Sequence, residues 1–236
     1  MTQDFTMVVD TPITALSAPS LPASSNPAQQ LTLGLVVSEP HPGPLSGTLT
    51  LSFTPKAEVP SDDPMIQFST GSRTVKFTIP ANSTTAVFPS QVLLLTGTVT
   101  GTVRLRADIQ DGPSGLAVAT MDILALPPQI TSVEAFRTTG GLDVLLTGYS
   151  PARRVTSVDF NFDVKTGSKT QRITLTKNVD SMFGAWFQSP VSIPYGSAFS
   201  FSQSFTLQGT GSTIEAVTVT LKNAQGNTSS AAIHPQ

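Results

Sequence analysis

Pro127-Pro128 stands between two long runs of strand-like sequence and constrains this chain more than any other feature. A proline has no N–H to donate and fixes φ, so no strand pairs through the two of them. Two in series also make a short, stiff, extended connection. The 236 residues are therefore expected to form two modules in tandem. These are 1–126, whose first 27 residues form an approach segment with edge strands, then the linker 127–128, then 129–236. The stiffness of the linker favours a rod over a hinge.

Both halves follow a period of two, as half-buried strands do. Short edge strands are expected at Thr6–Val9 and Ile13–Leu16, and Ser17–Pro27 reads as a loop. Leu31, Leu33, Leu35 and Val37 share one face; Leu49, Leu51 and Phe53 alternate with Thr50, Ser52 and Thr54. Val75, Phe77 and Ile79 repeat the pattern, as do Val103, Leu105, Ala107 and Ile109. Past the prolines, Leu142, Val144 and Leu146 are followed by Val158, Phe160, Phe162 and Val164, and Thr166-Gly167-Ser168 turns the chain toward Ile173 and Leu175. Phe199, Phe201, Phe205 and Leu207 share a face with Gln203, and a final hairpin joins Ile214–Lys222 to Ser229–Ile233. No segment carries a sustained helical stripe flanked by helix formers. Seven or eight strands in the first half and about seven in the second match the size of an immunoglobulin-like domain. The fold expected is all-β, two immunoglobulin-like β-sandwiches in tandem. Composition agrees: charged residues are 12% of the chain, about half the usual share, and Ser and Thr are about a quarter of it. Threonine is β-branched and suits the solvent face of a strand.

Several stretches resemble the immunoglobulin-like modules of long secreted bacterial proteins. Asn26-Pro27-Ala28-Gln29-Gln30, Gly47–Phe53, Ile66–Gly71, Phe77–Ala81 and Thr96–Val103 carry the likeness in the first half; Val217–Gly226 is similar to the last hairpin of such a module. These motifs are strand and turn grammar. The resemblance implies an adhesive, spacer or display role on the cell exterior.

Charge excludes more than it assigns. The first half has 5 Lys+Arg against 9 Asp+Glu, net −4, and the second 8 against 6, net +2. Neither imbalance makes a case for nucleic acid or an anionic membrane. The chain has no cysteine, which removes disulfides, thiolate chemistry and Cys-ligated zinc. Met1–Phe5 lacks the basic and apolar regions of a signal peptide, and no apolar run reaches the roughly 20 residues of a membrane span. On composition the chain reads as a piece of a longer secreted protein beginning at an added methionine.

Catalytic constellations do not assemble from these residues. His41 lies between two prolines and His234 is near the C-terminus, both read as surface decoration. No nucleophile elbow, zinc-protease helix, P-loop or dinucleotide fingerprint is found, and no cofactor is expected. Asp159, Asn161 and Asp163 project from one strand face, but the two carboxylates are about 13 Å apart on strand geometry, too far for a glycosidase pair. Asp62, Asp63, Asp108 and Asp111 are weak calcium candidates whose spacing meets no known loop pattern; turn chemistry is the plainer account. Trp186, Phe183 and Tyr195 are the best ligand-binding candidates, because exposed aromatics stack on sugar rings. The competing account puts Trp186 or Phe187 in a sandwich core. The sequons Asn82-Ser83-Thr84 and Asn227-Thr228-Ser229 are expected in exposed turns.

These readings converge on a non-catalytic extracellular structural or adhesive module pair from a bacterial surface protein. Its partner is a protein or polysaccharide on the cell exterior, with no nucleic acid and no membrane insertion; the sequence leaves oligomeric state open. One alternative is a carbohydrate-binding module, which requires Trp186, Phe183 and Tyr195 on one exposed concave face. A further alternative is a phage or virion decoration protein.

Overall fold

The computed structural model describes residues 15–207 and 212–236. The strand expected at Thr6–Val9, and the first half of that at Ile13–Leu16, lie outside them. The N-terminal half contains β1 (Leu16–Ser17), β2 (Ser24–Ser25), β3 (Gln30–Thr32), β4 (Val36–Val37), β5 (Leu45–Pro55), β6 (Ile66–Phe68), β7 (Thr74–Ile79), β8 (Leu93–Thr96), β9 (Gly101–Ile109) and β10 (Leu116–Ile123). The long strands form where the sequence alternates: β7 reads exposed-buried three times over, burying Val75, Phe77 and Ile79. One sheet has the order β2-β10-β9-β5-β7 and faces another, β3-β8-β6; β1 and β4 pair separately. Leu49, Leu51, Phe77 and Leu105 from the first sheet meet Ile66, Phe68 and Leu94 from the second in one core.

The C-terminal half contains β11 (Gln129–Thr138), β12 (Gly141–Tyr149), β13 (Ser157–Thr166), β14 (Lys169–Asn178), β15 (Ala198–Thr206), β16 (Ser212–Asn223) and β17 (Gly226–Ser229). Its sheets are β11-β12-β15 and β14-β13-β16-β17. This core is aromatic where the first is aliphatic: Phe160 and Phe162 of β13 meet the edge of Phe205 at 4.8 and 5.0 Å between centroids, and Phe160 stacks near Phe201. Among the described residues no strand pairing crosses from one half to the other; β10 ends at Ile123 and β11 begins at Gln129, so Pro127-Pro128 lie between the two sandwiches. The chain is all-β, built as two immunoglobulin-like sandwiches.

One element departs from the all-strand expectation. Asp180–Gln188 forms a helix, α1, followed by a 3-10 turn over Pro190–Tyr195. Phe183 and Phe187, four residues apart, both point into the aromatic core, and burial of that pair outweighs the modest helix propensity of the segment. Asp180 in the first turn suits the helix dipole, and Pro190 ends the helix.

Candidate functional site

The densest cluster of buried polar groups lies where the two sandwiches meet. Four loops build it. The first follows β5 and carries Glu58, Val59, Ser61, Asp62 and Asp63; the second, Gly97–Thr100, joins β8 to β9. From the other half come the turn Ser150–Thr156 between β12 and β13, and Gly196-Ser197 ahead of β15.

Arg153 is the centre of this seam. It is 2% exposed and holds a left-handed backbone (φ 53°) in a turn whose N–H donates to Ser150 O at 2.7 Å. Its guanidinium crosses to the first sandwich and donates to the carbonyls of Val59 (2.9 Å) and Asp62 (2.9 Å) and to Ser61. It also donates to Gly196 O within its own half. Five donors in a rigid fork suit such a ring of carbonyls. Burial pushes the guanidinium down from its ordinary value, and the charges of Asp63 and Asp62 oppose that.

Asp63 is fully buried beside it. One carboxylate oxygen accepts the N–H of Thr98 (2.7 Å) and Val99 (3.1 Å) and the Thr98 hydroxyl; the other accepts the N–H of Met65 (2.9 Å). Direct bonds between the halves complete the seam. Ser197 N–H donates to Thr98 Oγ1, and Ser197 Oγ donates to Thr98 O. Thr100 N–H donates to Pro151 O and Glu58 N–H to Ala152 O, each at 3.1 Å. Val59, from the first half, packs against the aromatic core of the second. At the solvent edge Arg154 spans the halves, bonded to Asp180 in its own and to Glu58 in the other. Among the described residues no buried side-chain nitrogen or oxygen lacks a partner. A buried charge of either sign survives only under such complete pairing.

The sequence candidates fall elsewhere or take other duties. Asp62 pairs with Arg73. Asp63 faces N–H donors, which a cation would repel. Asp108 accepts from Gly115 N–H, and Asp111 sits in a turn at φ 58°. Among the described residues no three acidic or histidine side chains gather as a metal would need. Phe183 is 3% exposed and meets Phe199 edge-on at 4.8 Å, so it belongs to the core and not to an exposed face. Trp186 is half-buried, donates to Ala198 O at 3.0 Å, and lies 6.2 Å from the exposed Tyr195 ring at a 36° tilt. Beside it a depression of about 220 Å³ is walled by Met182, Phe183, Trp186 and Phe199–Phe201. The row Asp159, Asn161, Asp163 bonds straight across to Thr176, Thr174 and Arg172 on β14, each its register partner. Sequence reasoning did not single out Arg153. Its one local sign is the turn sequence Ser150-Pro151-Ala152-Arg153-Arg154, which puts two of the chain's 13 basic residues where no strand continues.

No protein-family model matches the chain, and no curated protein matches it. Among solved structures it is similar to the adhesin InvE of Yersinia pseudotuberculosis, at 13% identity and a TM-score of 0.34 over 94% of this chain and 58% of that one. It is similar to the D0–D1 domain of intimin at 12% identity and 0.31, covering 94% and 97%. The class 5 fimbriae chaperone CfaA follows at 12% and 0.28, covering 97% and 99%. Scores of this size transfer no role to the chain.

Proposed function

We propose that the chain is a non-catalytic spacer and adhesive module pair on the outside of a bacterial cell, part of a larger surface protein. Its two domains, 1–126 and 129–236, hold whatever lies at one end at a set angle to the other. The observation that carries this reading is the seam, where Arg153 ties four residues of two modules together through its guanidinium. A spacer must resist bending, and a buried arginine bonded to backbone on both sides resists it directly, because any rotation breaks several charge-assisted bonds together. Contact with a protein or polysaccharide then falls to the Thr-rich outer faces of the sheets. The outer location follows the resemblance of the strand and turn grammar to modules of secreted bacterial proteins.

Residual dipolar couplings measured on both halves test the reading. One shared alignment frame for the native chain, replaced by two independent frames in Arg153→Ala, is the expected result. Two independent frames in the native chain would end the spacer proposal.

A further inference from the structure

Among the described residues, two long edge strands of the C-terminal sandwich, β14 and β15, have no strand on their outer side. The β11 edge exchanges bonds with the chain end, Arg137 N–H to Gln236 O and Gln236 N–H to Ala135 O. In the other sandwich Val87 covers the β7 edge through Thr78. β14 has no such cover among the described residues and is the more exposed of the two open edges: eight of its ten residues in succession are exposed, whereas β15 alternates with buried or half-buried positions. Ile173 and Leu175 are 42% and 47% exposed, although they lie opposite the core residues Phe162 and Phe160 and share their face of the sheet.

Register fixes which groups of β14 point outward. The two-residue turn Gly167-Ser168, with Gly167 at φ 61°, sets Thr166 opposite Lys169. A turn of that length makes the flanking pair a hydrogen-bonded one. Every second residue then bonds to β13, and the N–H and C=O of Thr170, Arg172, Thr174 and Thr176 face away from the sheet. An extended row of free groups is a template for another strand.

We infer that β14 pairs antiparallel with β14 of a second copy, about a two-fold axis through Thr174. The chemistry of the strand selects this occupant. With Thr174 opposite Thr174, all the outward groups meet outward groups. Ile173 of one copy falls opposite Leu175 of the other, so four exposed aliphatic side chains make one apolar strip. Arg172 meets Thr176 and Gln171 meets Lys177, so no like charges face each other. Shifting the register by one residue pair toward the turn would set Lys169 against Lys177. Two of the three charges on the strand are already occupied on their own copy: Arg172 is bidentate to Asp163, and Lys177 bonds to Gln203 over the Phe201 ring. The result is an isologous dimer with one continuous eight-stranded sheet. It does not depend on the spacer reading, since β14 pairs whether or not the module angle is fixed.

Sedimentation across the micromolar to millimolar range tests it. The native chain is expected to reach twice 24.7 kDa. Thr174→Pro removes an outward N–H from each copy and no backbone bond within the sheet, only the exposed hydroxyl bond to Asn161, so it weakens the dimer by more than about tenfold. The chain has no cysteine, so Thr174→Cys gives a clean second reading: it cross-links under oxidation, while Thr170→Cys, which falls opposite Asn178, does not. A chain that stays monomeric throughout overturns the inference, as does a dimer that Thr174→Pro leaves unchanged. If the proline variant fails to fold, cross-linking decides, and equal rates for the two cysteine variants overturn it.

Discussion

The seam between the sandwiches and the outer face of the β13–β14 sheet both carry charge, but they hold it in opposite ways. At the seam Arg153 and Asp63 are out of water, and most of their partners are backbone groups: carbonyls for the guanidinium, N–H groups for the carboxylate. On the outer face Asp159 and Asp163 keep one side in solvent and bond to other side chains, Lys222, Thr176 and Arg172. Backbone groups cannot turn away when a partner is lost, whereas exposed side chains can turn to water. The same count of bonds is therefore expected to matter far more at the seam.

Arg153→Ala gives the largest expected effect. It leaves the carbonyls of Val59, Asp62 and Gly196 without their donor and opens a void, for a loss of about 3–5 kcal/mol. Because those bonds join the halves, the variant should also divide one cooperative urea transition into two, read by Trp186 fluorescence for the second half and circular dichroism for the whole. A single transition at the native midpoint would place the seam on a par with the outer face.

Asp63→Asn comes next. The amide keeps the shape but turns an NH2 toward N–H groups on one side, either those of Thr98 and Val99 or that of Met65. One donor then meets another in a dry site, at about 1–3 kcal/mol. Chemical denaturation checks it, and a change below the scatter would mean that water reaches the site.

Two glycines at nearly the same φ sharpen the comparison. Gly196 at φ 62° has Thr98 Oγ1 at 2.5 Å and Asp63 Oδ1 at 2.8 Å from where a Cβ would stand; Gly167 at φ 61° has nothing within 4 Å. Alanine at either position costs the left-handed conformation, about 1–2 kcal/mol. Only Gly196→Ala adds a clash with the seam, so its loss of stability should exceed that of Gly167→Ala in paired thermal melts.

Strand grammar made the scaffold legible, because burial on one face leaves a period-two trace: Val158, Phe160 and Phe162 are all buried, and Gln203 sits among the phenylalanines of β15 as its spacing required. The helix α1 left a weaker trace. Nine residues with one Phe183–Phe187 repeat are too short to establish a helical period, and the aromatics drew attention as a binding surface instead. The seam left almost none. Asp63 stood out, but as a calcium candidate, since two of its three N–H partners lie 35 and 36 residues away. Arg153 meets its carbonyl partners in the first half across 91 to 94 positions and Gly196 in its own half across 43. Complementarity between a side chain and distant backbone has no period and no motif, so periodicity finds the walls of such a site and not its contents.

The smallest effect belongs to the outer face and appears as pH dependence. Burial acts to raise the Asp159 carboxyl, but hydrogen bonds from Lys222 and Thr176 outweigh it and hold the group below its ordinary 3.8. The Arg172 hydrogen bond holds Asp163 low, and those from Thr102 and Lys56 do the same for Asp122. A carboxyl lowered by folding contributes stability that is fully present above its unfolded value and is lost as pH falls through the folded one. The melting temperature should thus stay level from neutral pH down to the ordinary carboxylate value and decline below it. Asp159→Asn, with the most shielded of these groups, should lower the neutral melting temperature slightly and make the decline below it shallower, because the variant lacks at every pH the contribution that acid removes from the native chain. Asp163→Asn should do less, and its residue of effect should vanish in high salt, because Arg172 is mostly in water. If either variant shifted the neutral melting temperature as far as Asp63→Asn, exposed side-chain pairs would rival buried backbone ones, and the distinction between the two regions would collapse.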